Sequence, residues 1–178
     1  MNIRTLLLAI GASSLFSCYS TKTIALKGKY PTPPIITMSQ KSFDEIWSNT
    51  VDFFAQHGIP IKLIDKASGI IVSEKTKLDW SFEDKTGKLI HPRAYVALNK
   101  TTDDVTGRAF VPEEVTGEWN IRIKPTDKGT LINVNLYDIY ATYGRVYYSE
   151  YTHGVIQPIK TDGYTTGIFE KTLEDAVK

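Results

Sequence analysis

Residues 42–74, SFDEIWSNTVDFFAQHGIPIKLIDKASGIIVSE, read as one amphipathic helix running directly into two strands. Ser42 followed three positions later by Glu45 is a capping box, each side chain satisfying a backbone N–H left free in the first turn. Asp44 and Glu45 also set negative charge at the positive end of the helix dipole. Phe43, Ile46, Trp47, Val51 and Phe54 fall on one stripe at the helical period, with Ser48, Asn49 and Asp52 away from it. Gly58 supplies a left-handed stop and Pro60 forbids continuation. Ile59, Ile61 and Leu63 then alternate as a strand does. Asp65 to Gly69 is turn chemistry, and Ile70, Ile71 and Val72 begin a second strand buried on nearly both faces. A lone helix cannot bury Phe43, Trp47 and Phe54, so a sheet must cover them.

The rest of the chain supplies that sheet. Residues 35–38 predict a short first strand, and Leu78, Trp80 and Phe82 alternate before a turn at residues 83–87. Residues 94–98 predict another strand, residues 99–106 a polar loop, and Pro112-Glu113-Glu114 a further loop. Asp103 and Asp104 are solvated loop charge or calcium ligands, but the alternating oxygen ligands and turn glycine of a known calcium loop are missing. Residues 118–143 hold the clearest hairpin: Trp119, Ile121 and Ile123 alternate outbound, residues 126–129 turn the chain, and Ile132, Val134 and Leu136 alternate on the return. The return arm runs on through Tyr137, Tyr140, Tyr143, Tyr147, Tyr148 and Tyr151, with Arg145 among them. Tyrosines suit strands sterically and also anchor interfaces, so packing and a partner surface at Tyr137, Tyr140, Tyr143, Arg145 and Tyr147 both stay open. Thr165 or Thr166 caps a final helix whose Phe169, Leu173, Ala176 and Val177 share one face. Together these elements predict a single α+β domain over residues 35–178, two layers deep: a mostly antiparallel sheet with both helices on one face.

The N-terminus speaks to compartment. Arg4 precedes an apolar run from Leu6 to Phe16 with the proportions of a secretory signal peptide, too short for the about 20 apolar residues that span a bilayer. The run ends Leu15-Phe16-Ser17-Cys18, which resembles the lipobox of bacterial lipoproteins: an aliphatic residue, a variable one, a small one, then cysteine. The resemblance implies removal of residues 1–17 and acylation of Cys18, a membrane anchor through covalent lipid. The other reading is a plain signal peptide followed by an incidental cysteine. Cys18 is the chain's single cysteine, so no disulfide stabilises the domain. Tyr19 resembles the pattern sorted to the Gram-negative outer membrane, and the lack of an acidic cluster after Cys18 favours the periplasmic face. Residues 18–34 read as the acylated cysteine and a flexible tether, polar and rich in proline, extended and unpaired.

The helix-strand segment also resembles the repeat domains of the helix-grip lipoprotein family that serves the outer-membrane barrel-assembly machine. Asp44 to Trp47 match the start of that family's helix, and Asp65, Gly69 and Ile71 match its turn into the second strand. The likeness is confined to residues 42–74 and its motifs are structural, so it implies a fold.

The sequence carries no signal for a catalytic site, a metal or a cofactor. It lacks a nucleophile elbow, a phosphate-binding glycine loop and a zinc-binding helix motif, and its three histidines, His57, His91 and His153, lie far apart. His153, with Glu150 or Asp162, is the one histidine worth testing. Charge is balanced: loss of residues 1–17 removes Arg4 and no acid, which gives no electrostatic case for nucleic acid. What remains is a non-enzymatic, membrane-anchored module that binds an envelope protein. The alternative is a carrier holding a small apolar or glycan ligand in a sheet-helix cleft.

Overall fold

The computed structural model describes residues 20–143 and 158–177. In chain order the elements are β1 (Thr21–Ile24), β2 (Ile35–Ser39), α1 (Phe43–Gln56), β3 (Ile61–Asp65), β4 (Ile70–Ser73), β5 (Thr76–Lys77) and β6 (Trp80–Ser81). Then follow β7 (Val96–Leu98), β8 (Lys100–Asp103), β9 (Pro112–Thr126), β10 (Gly129–Tyr143), β11 (Ile159–Lys160), β12 (Gly163–Thr165) and α2 (Ile168–Val177). The fold is α+β, with mostly antiparallel sheet.

The β9–β10 hairpin is the spine of a seven-stranded antiparallel sheet. β4 and then β3 extend it past β9, while β2 and β11 line the far side of β10. Trp119, Ile121 and Ile123 of β9 and Ile132, Val134 and Leu136 of β10 point to one side, all nearly inaccessible to solvent. On that side α1 presents Ile46, Trp47, Phe53 and Phe54, and α2 presents Phe169, Leu173 and Val177. Both halves of the capping box form: the Glu45 N–H donates to Ser42 Oγ at 3.3 Å, and the Ser42 N–H to the Glu45 carboxylate at 3.0 Å. The two layers meet ring on ring, with Phe169 stacked on Trp119 at 3.7 Å and 12°. Phe53 and Tyr95 each meet Phe169 edge-on at 5.6 Å. Phe53, off the stripe that periodicity predicts, is buried, and Ala176, on the stripe of its own helix, is exposed.

Leu78 still bonds β9, its N–H donating to the Val115 carbonyl at 2.8 Å, but residues 79–98 do not join the main sheet. β6 and β7 pair in parallel and β12 adds to β7, making a separate three-stranded sheet whose Val96 and Leu98 enter the same core. Gly163 of β12 faces Ile139 of β10 so closely that a Cβ would lie 3.1 Å from the isoleucine's side chain. The small sheet therefore packs against the large one at Ile139.

Three loop or tether expectations need correction. Residues 21–24, expected as unpaired tether, form β1 and pair with β8, Thr21 opposite Asp103. The same pairing makes a strand of residues 100–103 inside the expected 99–106 loop. This ribbon, TKTI against KTTD, is polar on both faces, so no apolar alternation marks it in the sequence. Asp103 builds the turn beyond it, accepting from the Val105 and Thr106 N–H groups and the Thr106 hydroxyl. Pro112 to Glu114, expected as a loop, opens β9; proline fits there because a strand's first residue need not donate to the ladder. The tether is pinned again at Glu83, whose carboxylate accepts from the N–H groups of Lys27 and Gly28 at 2.7 and 2.8 Å and from the Tyr30 hydroxyl at 2.6 Å. Partial burial disfavours charge on Glu83, but these donors outweigh it and hold the carboxyl below the usual carboxylate range. Among the described residues no helix is long and apolar enough to cross a membrane.

α2 carries one buried acid. Glu170 is 4% exposed, and one carboxyl oxygen accepts from the Thr165 hydroxyl at 2.6 Å while the other has no partner among the described residues. Burial pushes its carboxyl above the ordinary glutamate range, partly offset by the Thr165 hydroxyl. A raised folded-state value means that the stability contributed is full below the unfolded value, 4.5, and is lost as pH rises through the folded value. Glu170→Gln is expected to raise the melting temperature at neutral pH, and the gain should vanish in melts recorded below that value. Phe169→Ala is expected to cost about 3–5 kcal/mol in urea unfolding, since it removes the ring that three others pack against.

Candidate functional site

The side of the large sheet away from the helices carries no second layer among the described residues. Its side chains follow from register. Tyr137 stands opposite Glu118, Asn135 opposite Asn120, Asn133 opposite Arg122 and Leu131 opposite Lys124. Ile36 and Met38 of β2 stand beside Asn133 and Leu131 at one margin, and Leu63 of β3 beside Val72 at the other.

A bulge sets the tyrosines. Tyr137 pairs with Glu118 but Tyr140 pairs with Thr116, so β10 spends one residue more than β9 over this span. Asp138 takes up the surplus at φ 50°, a left-handed conformation that aspartate tolerates better than most residues. Without the bulge Ile139 would face solvent and Tyr140 the core. With it, Ile139 is buried and Tyr140 shares the open face with Tyr137.

Around these rings lies a network that the sequence did not announce. Glu118, 7% exposed, accepts from the Tyr137 hydroxyl at 2.9 Å and from Lys62 Nζ at 3.2 Å. Burial, and then the Glu118 hydrogen bond and the charges of Glu118 and Asp138, push the Tyr137 hydroxyl up to about 12. Lys75 Nζ sits 3.8 Å from the centroid of the Tyr140 ring. Lys160, opposite Tyr140 on β11, bonds the Asp138 carboxylate at 3.0 Å and is held above the ordinary lysine range by that bond and that charge. Lys62, Asp138 and Lys160 come from three strands and Lys75 from the turn before β5, with no shared sequence spacing, so only the fold unites them.

Tyr143 goes elsewhere. Alternation from Tyr140 through Ala141 and Thr142 puts it on the core side, partly buried, where it lines a surface cleft of 460 Å³ with Thr21, Thr23, Phe110 and Ile159. The expected tyrosine surface therefore divides: Tyr137 and Tyr140 share a face, Tyr143 does not, and Arg145, Tyr147 and Cys18 lie outside the described residues.

Glu118 is neutralised by Lys62, and a tyrosine hydroxyl pushed up to about 12 is not poised to lose its proton near neutrality. His57 Nδ1 donates to the Phe53 carbonyl at 2.8 Å, and His91 is exposed. Among the described residues no three His, Cys, Asp or Glu side chains gather as metal ligands. By contrast Lys75, Lys77, Arg122 and Lys124, all exposed on the open face, form no ion pair among the described residues. The helix layer on the opposite side exposes Glu45, Asp52 and Asp175. Asp175 is paired with Lys171, and Glu114 is exposed at the far end of the open face, so among the described residues these unpaired bases cluster on the open face and the unpaired helix acids Glu45 and Asp52 lie on the other side.

No protein-family model matches the chain, and no curated protein is similar to it at a significant level.

Tyr137→Phe is expected to cost about 1 kcal/mol, the net worth of one hydrogen bond. Tyr140→Ala should stay within about 1 kcal/mol, the size of an exposed cation–π contact. Chemical denaturation of both variants separates the ring that stabilises the sheet from the ring that decorates it.

Proposed function

We propose that this chain is a non-enzymatic envelope lipoprotein, anchored by acyl chains on Cys18 at the periplasmic face of an outer membrane, that binds another protein through the open face of its large sheet. The observation that carries the reading is that uncovered face, with Tyr137, Tyr140 and four bases that have no ion-pair partner among the described residues. Aromatic rings and arginine are the usual anchors of protein interfaces. The four bases select a partner whose contact surface is acidic. The leader and its terminal cysteine support the anchor, since two or more acyl chains hold a soluble domain at a bilayer lastingly. The Glu83 clasp and the β1–β8 ribbon shorten the free leash, which favours a partner close to the membrane surface.

The carrier alternative draws less support. Its ligand would sit between sheet and helices, where Trp119, Phe169, Phe53 and Phe54 already fill the space. The clefts of 360–460 Å³ among the described residues open to solvent and have mixed polar and apolar walls; one of 360 Å³ enters between the end of α1 and β5 beside Tyr95 and Trp119.

Two measurements test the proposal. Radiolabelled palmitate should enter the mature chain and not the Cys18→Ser variant, which should wash from membranes; equal retention of both would end the anchor claim. A photoreactive residue in place of Tyr140 should crosslink one envelope protein in intact cells, with yield falling as salt rises, whereas the same residue in place of Asp52 should not. Equal capture from both positions would contradict the assignment of the face.

A further inference from the structure

One margin of the large sheet is unguarded among the described residues, and its hydrogen-bonding groups are self-complementary. β2 pairs there on one side only, with Thr130 to Val134 of β10, Thr37 opposite Ile132. The direction of its amides follows from a bond two strands away. The Ile123 N–H donates to the Gly69 carbonyl at 2.8 Å, away from β10. Amide groups alternate in direction along an antiparallel strand, and directly opposed residues point theirs either both toward or both away from each other. Ile132, opposite Ile123, therefore turns its amide toward β2 and meets Thr37. Ile36 and Met38 are left with their N–H and C=O groups aimed at the empty side, and their side chains stand 60% and 39% exposed on the open face.

Sheet edges are ordinarily blunted by charge, proline or a bulge. β3, at the opposite margin, carries Lys62 and Asp65 and a register shift between Ile61 and Leu63. β2, sequence IITMS, has none of these guards and keeps an unbroken register. Thr37 also donates to Glu174 of α2 at 2.7 Å, so the strand is held from the helix side and presents a fixed edge.

We propose that β2 pairs antiparallel with β2 of a second copy, about a two-fold axis through Thr37, so that one sheet runs through both molecules. In that register Ile36 lies opposite Met38 of the second copy, and each such pair exchanges both backbone hydrogen bonds, since these are the residues whose amides face outward. The four apolar side chains gather on one face beside Leu131 of each copy. No like charges meet along the seam: residues 34–40 carry none, and Lys41 falls opposite Pro33 of the second copy. A closed two-fold contact of this kind uses the same patch twice and stops at the dimer. It stands apart from the membrane anchor and from the tyrosine face, and either could fail without affecting it.

The test uses the full chain in its envelope, where the parent has only Cys18. Ile36→Cys with Met38→Cys should give a disulfide-linked homodimer under mild oxidation, well above the parent's background. Ile36→Cys alone should not, because this register sets the two copies of residue 36 roughly 8 Å apart, beyond the reach of a disulfide at about 7 Å. Leu63→Cys on the guarded margin should not either. Ile36→Lys with Met38→Lys should keep the parent's far-ultraviolet circular dichroism yet sediment as a monomer in detergent where the parent sediments as a dimer, and should melt lower, as loss of the association requires. The proposal is overturned if the double cysteine variant yields no dimer, if Ile36→Cys or Leu63→Cys alone dimerises as readily, or if the double cysteine variant links to a different protein instead.

Discussion

Phe169 lies flat on Trp119 and is met edge-on by Phe53 and Tyr95, so one ring joins both helices, the central hairpin and the loop leading into the small sheet. Four aromatic side chains contributed by residues 53 to 169 can converge only when those elements are in place together. Aromatic contacts of this kind add about 0.5–1.5 kcal/mol each beyond the burial of their area. With a single cysteine and no disulfide, the chain depends on this burial for its stability. The same packing fills most of the space between the helices and the sheet.

What distinguishes the open face is one surplus residue. The bulge at Asp138 returns Ile139 to the core, brings Tyr140 level with Tyr137, and aims a carboxylate at Lys160. Bulges re-aim side chains at the expense of ladder regularity, and here the re-aimed side chain is an aromatic ring capped by Lys75. Glu118 beneath is desolvated but answered by Lys62 and Tyr137, which satisfies the demand that a buried charge be paired. The placement of the unpaired charges follows from topology, because β5, β9 and the turn before β5 carry the bases of the open face and α1 carries Glu45 and Asp52.

The parts of this fold that were legible in the sequence are those with strong local periodicity. Ser42 and Glu45 announced the first helix, and the alternation from Trp119 to Leu136 announced the hairpin, because each writes its burial directly into residue order. The β1–β8 ribbon was invisible, since a strand pair wet on both faces has no apolar rhythm to read. The small sheet was misassigned because β6 and β7 pair in parallel across a long connection, and no local signal specifies that partner. The tyrosine run showed that a surface was plausible but not which rings would form it: a one-residue bulge reverses the face of every later side chain, and nothing at Tyr137-Asp138-Ile139 marks it. Glu118, Lys62, Lys75 and Lys160 were beyond reach, since they meet only through strand order.

On the proposed function, the open face of the sheet is covered in the envelope and bare in isolation. Hydroxyl-radical footprinting of the full chain, in intact envelopes and after purification, reads that difference residue by residue. Tyr137, Tyr140 and the lysine-bearing segment from Lys62 to Lys77 should be modified several-fold less in the envelope, while the exposed residues of α1 are modified equally in both. Equal modification of the open face in the two states, or protection confined to the helix layer, would contradict the proposed function.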